Sequence, residues 1–408
     1  MQCGLLGRKL GHSYSPQIHR HLGDYSYALF EKEPEQLAAF FRESTFTGLN
    51  VTIPYKKDVI GYCTELSAHA QKLGAVNTIV RRPDGTLIGH NTDYFGFLSM
   101  VQQSGLPLRN KKVLVLGSGG ASVTAVAVMQ ELGAQVVVIS RSGENNYDNL
   151  HLHTDTAAIV NATPVGMYPE VGRSPVDLNL FPRLEAVWDM IYNPARSALL
   201  QQAEKRGIIA QNGLWMLVAQ AKESAEWFLG KKISDDIIPR IHDQLRMQME
   251  NIILIGMPGC GKSTIGKLLA QKLGREFVDS DSQIVKAAGK TIPDIFAQDG
   301  EQEFRKIETY VLEQLGKRSG LVIATGGGCV TRQENYPALH QNGTIIWLER
   351  QLDQLPTDGR PLSKGSDLQQ MYAGRKPLYS AFADLCINND ADENASVDAI
   401  VKALHMEV

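Results

Sequence analysis

Two stretches of this 408-residue chain set charged and hydroxyl side chains beside bared backbone. In the first, residues 256–263 read GMPGCGKS and fit G-x-x-x-x-G-K-[ST]. The stretch follows an apolar run at 251–255 and opens an amphipathic one, the strand–turn–helix context that such a loop requires. Backbone N–H groups of Gly259, Cys260 and Gly261 are free to curl around phosphates. Lys262 reaches the outer phosphate oxygens, and Ser263, with Thr264 behind it, offers a hydroxyl to Mg2+. Further on, EFVDSDSQI (276–284) carries Asp279 and Asp281 at the end of an expected strand, where residues two apart share a face. One carboxylate suits a metal or its waters, the other a hydroxyl to be bound and deprotonated. Arg305 falls on an expected helix, ATGGGCV (324–330) leaves backbone uncovered, and Arg360 and Arg375 stand in Gly/Pro-marked loops. Arginine suits both a transferring phosphoryl group and a carboxylate.

The second stretch is KKVLVLGSGGAS (111–122), again a strand running into a glycine turn. Gly117, Gly119 and Gly120 allow a pyrophosphate to approach a helix N-terminus closely. The next strand ends in Ser140, Arg141 and Ser142, where an arginine favours the 2′-phosphate of NADP and an acid would favour NAD. Upstream lie three polar clusters. GHSYSPQIH (11–19) puts Ser13 and Ser15 at a helix start, GLNVTIPYKKD (48–58) leads from Thr52 to Lys56, and residues 74–96 form a hairpin with Asn77 on one arm and Asp93 beyond the other. A lysine close to an aspartate can exchange a proton with an alcohol while hydride leaves the same carbon. Spacing alone does not bring these groups together.

The elements that must position them alternate. Apolar β-branched runs at 111–117, 134–140, 157–163, 185–192, 251–256, 320–327 and 343–349 are separated by helical stretches, which predicts parallel α/β sheets. Residues 230–251 read as one helix capped by Ser234, so two halves meet near Met249 without a long tether. A net charge of -3 and the absence of single-sign blocks point away from nucleic acid, and no apolar run is long enough for a membrane span. The five cysteines (Cys3, Cys63, Cys260, Cys329, Cys386) form no CxxC pair, which argues against a disulfide framework and for a reducing, cytoplasmic setting.

Five ordered motifs make residues 251–408 resemble shikimate kinase: GMPGCGKST, FVDSD, IFAQDGEQEFR..E, TGGG and GR.PLY. The resemblance implies a P-loop kinase that uses ATP and Mg2+ to phosphorylate shikimate. Gly259, Cys260, Gly261, Lys262, Ser263 and Thr264 would serve ATP, Ser263 and Asp279 the metal. Asp281 would hold the ring hydroxyls as base, Arg305 and Arg375 would clamp the carboxylate, Gly327 and Gly328 would lie against the ring, and Arg360 would close over the phosphates. The lid stretch, 350–367, is shorter and less basic than the family's, with no basic residue between Arg350 and Arg360.

Residues 1–245 resemble shikimate dehydrogenase through GHSYSP, GLNVTIPYKK, GAVNTI, GHNTDYFG, GSGGAS, NATPVGM, DMIYNP and NGLWMLVAQA. That family reduces 3-dehydroshikimate to shikimate with NADPH. Carried over, Lys56 and Asp93 form the catalytic pair, and Ser13, Ser15, Thr52, Asn77, Tyr192 and Gln220 contact substrate. Gly117, Ser118, Gly119, Gly120, Ala121, Ser140, Arg141 and Ser142 hold NADP(H), with Ile191, Gly213 and Met216 about the nicotinamide. Only some twenty residues separate Arg141 from Asn161, so an element of the nucleotide domain is trimmed, and Trp215 is bulky for its place. The implied architecture is a substrate-binding domain (1–94 and 213–248), a Rossmann domain (95–212) and a P-loop kinase domain with a parallel sheet (250–408). The implied function is bifunctional, toward aromatic amino acids, with a homo-oligomer compatible. Alternatives are one half degenerate and serving as regulator or scaffold, or quinate-type specificity in the first half.

Overall fold

The computed structural model describes residues 1–11, 13–355, 368–390 and 392–406. Their apolar runs become the strands of three sheets. The first sheet holds β1 (Gln2–Gly7), β2 (Ser26–Glu31), β3 (Gly48–Val51), β4 (Glu65–Leu66), β5 (Thr78–Arg81) and β6 (Leu87–His90) in the order β2-β1-β3-β5-β6-β4. It departs from the parallel expectation: β5 runs antiparallel to both β3 and β6. The β5–β6 reversal is local, because the PDG turn folds 78–90 into the expected hairpin, and a hairpin reverses the chain.

The second sheet is wholly parallel: β7 (Lys112–Leu116), β8 (Gln135–Ile139), β9 (Ala158–Asn161), β10 (Ala186–Asp189) and β11 (Ile209–Gln211), in the order β11-β10-β9-β7-β8. Val113 to Leu116 are fully buried, as a strand covered on both faces requires. Between β8 and β9 only a 3-10 turn, Leu150–His153, stands where a crossover helix would normally lie; this is the trimmed element. The third sheet, also parallel, has β12 (Asn251–Ile255), β13 (Glu276–Asp279), β14 (Leu321–Ala324), β15 (Gly343–Glu349) and β16 (Leu385–Asn388) in the order β13-β14-β12-β15-β16. Both parallel sheets reverse direction of growth beside a central strand, β7 or β12, and a glycine turn follows each at its carboxyl end. Crevices at such reversals are where ligands bind in open α/β sheets.

The chain divides into two compact units. The first comprises Met1–Val165, Ser174–Tyr192 and Gln202–Gln244; the second comprises Gly166–Arg173, Asn193–Gln201 and Leu245–Val408. The second unit is thus not contiguous. Within it, Arg196 donates its backbone N–H to Gln341 O at 2.8 Å and its guanidinium to the carbonyls of His340 and Gly343, and pairs with Glu250 at 3.4 Å. Ala195 N–H reaches Asn342 Oδ1 at 2.8 Å, and Gln201 Nε2 reaches Pro337 O at 3.2 Å.

The helix expected from Ser234 begins instead at Ile237 and runs to Met249. Residues 231–236 are held as a turn by the preceding helix, Leu214–Leu229. Its buried Glu226 accepts the Ile233 N–H at 2.8 Å and pairs with Lys222 and Lys232, both at 2.7 Å; Lys222 also reaches Asp235 at 2.6 Å. Ser234 spends its hydroxyl on the Asp236 N–H and carboxylate rather than on a helix cap. Burial by itself would raise the Glu226 carboxyl, but the Ile233 N–H and the two ammonium groups outweigh it and hold it at about 2. A depressed carboxyl adds stability that is complete above its ordinary 4.5 and is lost as pH falls from there through about 2. Glu226→Gln, which leaves Lys222 buried and short of a partner, is expected to cost the first unit about 3 kcal/mol at neutral pH. Chemical denaturation followed at pH 7 and pH 3 checks this, the deficit shrinking at the lower pH.

Candidate functional site

The first unit gathers its polar groups where β3, the β5–β6 hairpin and two helices meet. Lys56 follows β3 in a turn, and Asp93 opens the helix Asp93–Gln103. Lys56 Nζ lies 2.6 Å from Asp93 Oδ2, with both side chains partly open to solvent. Asn77 is buried, and its Oδ1 accepts the Thr92 N–H at 2.7 Å and the Thr92 hydroxyl at 3.2 Å, so the residue before Asp93 is fixed. The Val51 N–H donates to Asn77 O at 2.8 Å and the Val76 N–H to Lys56 O at 2.7 Å, which lays the Thr52–Lys56 turn alongside Asn77. Thr92 Oγ1 reaches Gln220 Oε1 at 3.5 Å.

Beneath these groups lies a buried network that sequence patterning did not reveal. Ser224 Oγ stands 2.8 Å from Asn50 Nδ2, 2.8 Å from Thr78 Oγ1 and 2.9 Å from Thr92 Oγ1. Asn50 in turn accepts from the Tyr27 hydroxyl at 2.8 Å. Each donor finds an acceptor, which makes such a network rigid rather than costly. Ser15 starts the helix Ser15–His19, but no side chain caps it; Ser13 Oγ accepts the Ser15 N–H at 3.2 Å. Tyr14 packs edge-on against Tyr192 at 6.3 Å, which brings Tyr192 to the Ser13–Ser15 turn. Thr52 is placed through its backbone, whose N–H donates to Leu6 O at 2.9 Å.

The glycine turn of this unit leaves Ser118, Gly119, Gly120 and Ala121 exposed at the start of the helix Gly120–Glu131. Gly117 has a φ of 108°, a conformation open mainly to glycine, and its carbonyl accepts the Ser122 hydroxyl at 2.7 Å. Arg141 and Ser142 are exposed beyond β8, with Ser140 half-buried beside them. A bared turn at a helix N-terminus with a cation at the next strand end fits a 2′-phosphorylated dinucleotide. Ile191 is buried and its carbonyl accepts the Gly213 N–H at 3.0 Å; Met216 lies in the first turn of the helix Leu214–Leu229. The bulk of Trp215 is absorbed locally: its Nε1–H donates to Ser99 Oγ at 3.0 Å and its ring rests on His242.

In the second unit a cavity of about 620 Å³ opens at the carboxyl end of β12 and takes in the glycine loop, Asp279, Asp281, Arg305 and Arg375. Lys262 is buried and donates to Gly256 O at 2.9 Å and Met257 O at 3.0 Å, so its ammonium lies inside the loop. Cys260 is buried beneath the loop, and Ser263 and Thr264 are exposed toward the cavity. The two aspartates do not alternate along a strand as expected. β13 ends at Asp279, which caps the helix Ser280–Ala288, and Asp281 is in that helix's first turn. A capping aspartate satisfies free N–H groups: Asp279 Oδ1 accepts from Asp281 at 3.0 Å. Its Oδ2 accepts the Ser263 hydroxyl at 2.7 Å. Hydroxyl and carboxylate oxygens side by side are hard donors that fit Mg2+, which takes one or two carboxylates and fills its shell with phosphate oxygens and water.

Burial, and next to it the charge of Asp279, raises the Asp281 carboxyl above its ordinary 3.8, against the pull of Lys262 and Arg305. Arg305 is buried on the helix Gly300–Gly316, held by Glu308 at 2.8 Å and Glu301 at 3.1 Å. A side chain at Gly328 would collide with its guanidinium, so the bare glycine is what admits the arginine. Glu308 was not anticipated as a site residue, though its place one turn beyond Arg305 is the available signal. It is 1% exposed, and burial lifts its carboxyl against Arg305; its Oε1 has no partner among the described residues. Arg375 is not in a loop but in the helix Leu368–Phe382, which continues past Pro377 because Tyr379 and Phe382 anchor its far end in the core. Arg375 Nη1 donates to Gly327 O at 3.2 Å. Arg360 lies outside the described residues. The described residues contain no cluster of three metal-binding side chains, and no helix among them is long and apolar enough to cross a membrane.

Known proteins carry the same two patterns. Residues 258–405 match the family model for shikimate kinase, and residues 5–79 match that for the shikimate dehydrogenase substrate binding domain. The chain is 36% identical over 254 residues to the shikimate dehydrogenase (NADP(+)) of Caldicellulosiruptor bescii, covering 55% of this chain and 88% of that one. With the Shouchella clausii protein of the same description identity is 34%, over 59% of this chain and 97% of that one. Among solved structures, shikimate dehydrogenase 1 from Peptoclostridium difficile matches with a TM-score of 0.55 and 36% identity, over 60% of this chain and 98% of that one. A chorismate mutase/shikimate 5-dehydrogenase fusion from Clostridium acetobutylicum matches with a TM-score of 0.56 and 36% identity, over 60% of this chain and 96% of that one.

Proposed function

The chain belongs to the shikimate dehydrogenase family and continues into a shikimate kinase domain, and from that premise we propose that its two sites act on one metabolite in succession. The first unit reduces 3-dehydroshikimate to shikimate with NADPH; the second phosphorylates shikimate with ATP, a sequence directed to aromatic amino acids. The observation that carries this reading is that a proton-exchanging pair, Lys56 and Asp93 at 2.6 Å, and a phosphate loop with a flanking carboxylate, Asp281, are both complete in one chain. With both intact, a degenerate half serving only as scaffold has no support.

In the first site NADPH, when bound, supplies the hydride. Lys56 gives a proton to the carbonyl oxygen as it becomes an alcohol, and Asp93 holds the ammonium in place. Asn77, Gln220, Ser13, Ser15, Thr52 and Tyr192 bind the ring and its carboxylate; Ile191, Gly213 and Met216 border the nicotinamide. Residues 1–94 and 213–248 form the substrate-binding part and 95–212 the nucleotide part. In the second site, within 250–408, Arg305 and Arg375 hold the carboxylate, and Gly327 and Gly328 lie against the ring. Asp281 takes the hydroxyl's proton, and Lys262 steadies the phosphates. Ser263 and Asp279 would hold Mg2+, which supplies charge neutralisation on the phosphates.

The test is one mixture of purified protein, 3-dehydroshikimate, NADPH, Mg2+ and ATP. Loss of NADPH with stoichiometric ADP and shikimate 3-phosphate is expected. Shikimate accumulating without ADP would remove the kinase half of the reading. Replacing shikimate by quinate in the reverse oxidation separates the specificities, shikimate being the expected substrate.

A further inference from the structure

Four segments of the first unit meet at one buried oxygen, Ser224 Oγ. β3 brings Asn50, β5 brings Thr78, and Thr92 immediately precedes the helix Asp93–Gln103. Ser224 itself stands on the helix Leu214–Leu229, one turn after Gln220. The two helices lie close together because Gly96 has no side chain; a Cβ there would fall 2.7 Å from Met216 O and 2.8 Å from Gln220 Cβ. A buried helical serine ordinarily gives its proton to the carbonyl four residues back, and Ser224 does so, donating to Gln220 O at 2.9 Å. With that proton committed, Ser224 Oγ faces the other three groups as an acceptor with two lone pairs. Asn50 Nδ2 at 2.8 Å takes one, and one of the two threonine hydroxyls takes the other.

The remaining threonine proton has Asn77 Oδ1 within reach, at 3.2 Å from Thr78 Oγ1 and 3.2 Å from Thr92 Oγ1. That oxygen already accepts the Thr92 N–H at 2.7 Å. The acceptor end of the Asn77 amide is thus filled from within the protein, and its NH2 group is the end left to a ligand. A donor is what a carboxylate or a ketone oxygen requires, since both only accept. We propose that Ser224 is a positioning residue of the dehydrogenase site. Fully buried, it acts through other groups: as their common acceptor it keeps the Asn77 NH2 group turned to the substrate and steadies Thr92, whose neighbour is Asp93. The inference rests on the dehydrogenase reading and adds the residue that sets the polarity of its amide.

The experiment measures initial rates of 3-dehydroshikimate reduction, and NADP+ binding by calorimetry, on the full chain. The unaltered protein is compared with Ser224→Ala, Ser224→Cys, Asn77→Ala and the double variant Asn77→Ala/Ser224→Ala. Ser224→Ala is expected to lower kcat/KM for 3-dehydroshikimate by about 10- to 100-fold, the effect of a misplaced contact, with NADP+ affinity unchanged. Ser224→Cys keeps the volume but offers a poor acceptor, so the same loss is expected without a void. Added to Asn77→Ala, the serine change is expected to cost less than about 3-fold more, because it acts through a residue already gone. Full activity in Ser224→Cys would overturn the proposal by tracing the alanine loss to the void. Losses that multiply in the double variant would overturn it by separating Ser224 from Asn77. A parallel fall in NADP+ affinity in Ser224→Cys would overturn it by making the hydroxyl a support of the fold alone. Failure of the unaltered protein to reduce 3-dehydroshikimate would instead overturn the dehydrogenase reading itself.

Discussion

Lys56→Ala is expected to lower the turnover of 3-dehydroshikimate reduction by about 10²–10⁴-fold, the usual worth of a positioned proton-transfer group, while kinase turnover stays unchanged. The geometry gives the reason. Lys56 Nζ is 2.6 Å from Asp93, and the Thr92 backbone that presents Asp93 is fixed by Asn77. Alanine removes the proton donor without unmaking the network below it, since that network runs through Asn50, Thr78, Thr92 and Ser224 and does not include Lys56. The loss is therefore one of kcat, with NADPH affinity retained. Steady-state rates of both reactions on one preparation measure it. A parallel fall in kinase rate would mean that the two sites are not independent.

The second large effect is the converse. Asp281→Asn is expected to lower kinase turnover by about 10²–10⁴-fold and to leave dehydrogenase turnover intact. Asparagine keeps the size and hydrogen-bonding reach of the side chain but accepts no proton. Asp281 sits on the first turn of its helix, beside Gly326 and within the cavity that holds Lys262 and Arg305. Binding of ADP should survive, since the phosphate loop is untouched. A change confined to the KM for shikimate, with kcat preserved, would make Asp281 a binding residue only.

Much of this was legible in the sequence, for physical reasons. The glycine loops announce themselves because a tight turn and close phosphate approach admit little else, and the β-branched runs at 111–117 and 251–256 admit only buried strands. The hairpin followed from its PDG turn. What patterning missed depends on contacts across the chain. Nothing local tells that Asp279 ends a strand by capping a helix, because a DSD triplet suits a strand end and a helix start equally well. Pro377 argued for a loop at Arg375, and only burial of Tyr379 and Phe382 keeps the helix going. Ser234 carried a good cap signal, overridden by Glu226 and Lys222 one helix earlier. The Ser224 network joins residues up to 174 positions apart, so no window of sequence contains it.

The second unit's borrowed strand-end segment, Asn193–Gln201, has a consequence for how the chain is made. Arg196 leaves the ribosome 147 residues ahead of the Gly343 carbonyl that it binds. At ordinary rates of synthesis that gap is roughly 7–30 s. The dehydrogenase residues are complete by then, yet Arg196 must wait for β15 to emerge. The strap thus docks late and over a loop of 147 residues, and a gene cut at residue 250 would deliver a kinase without it.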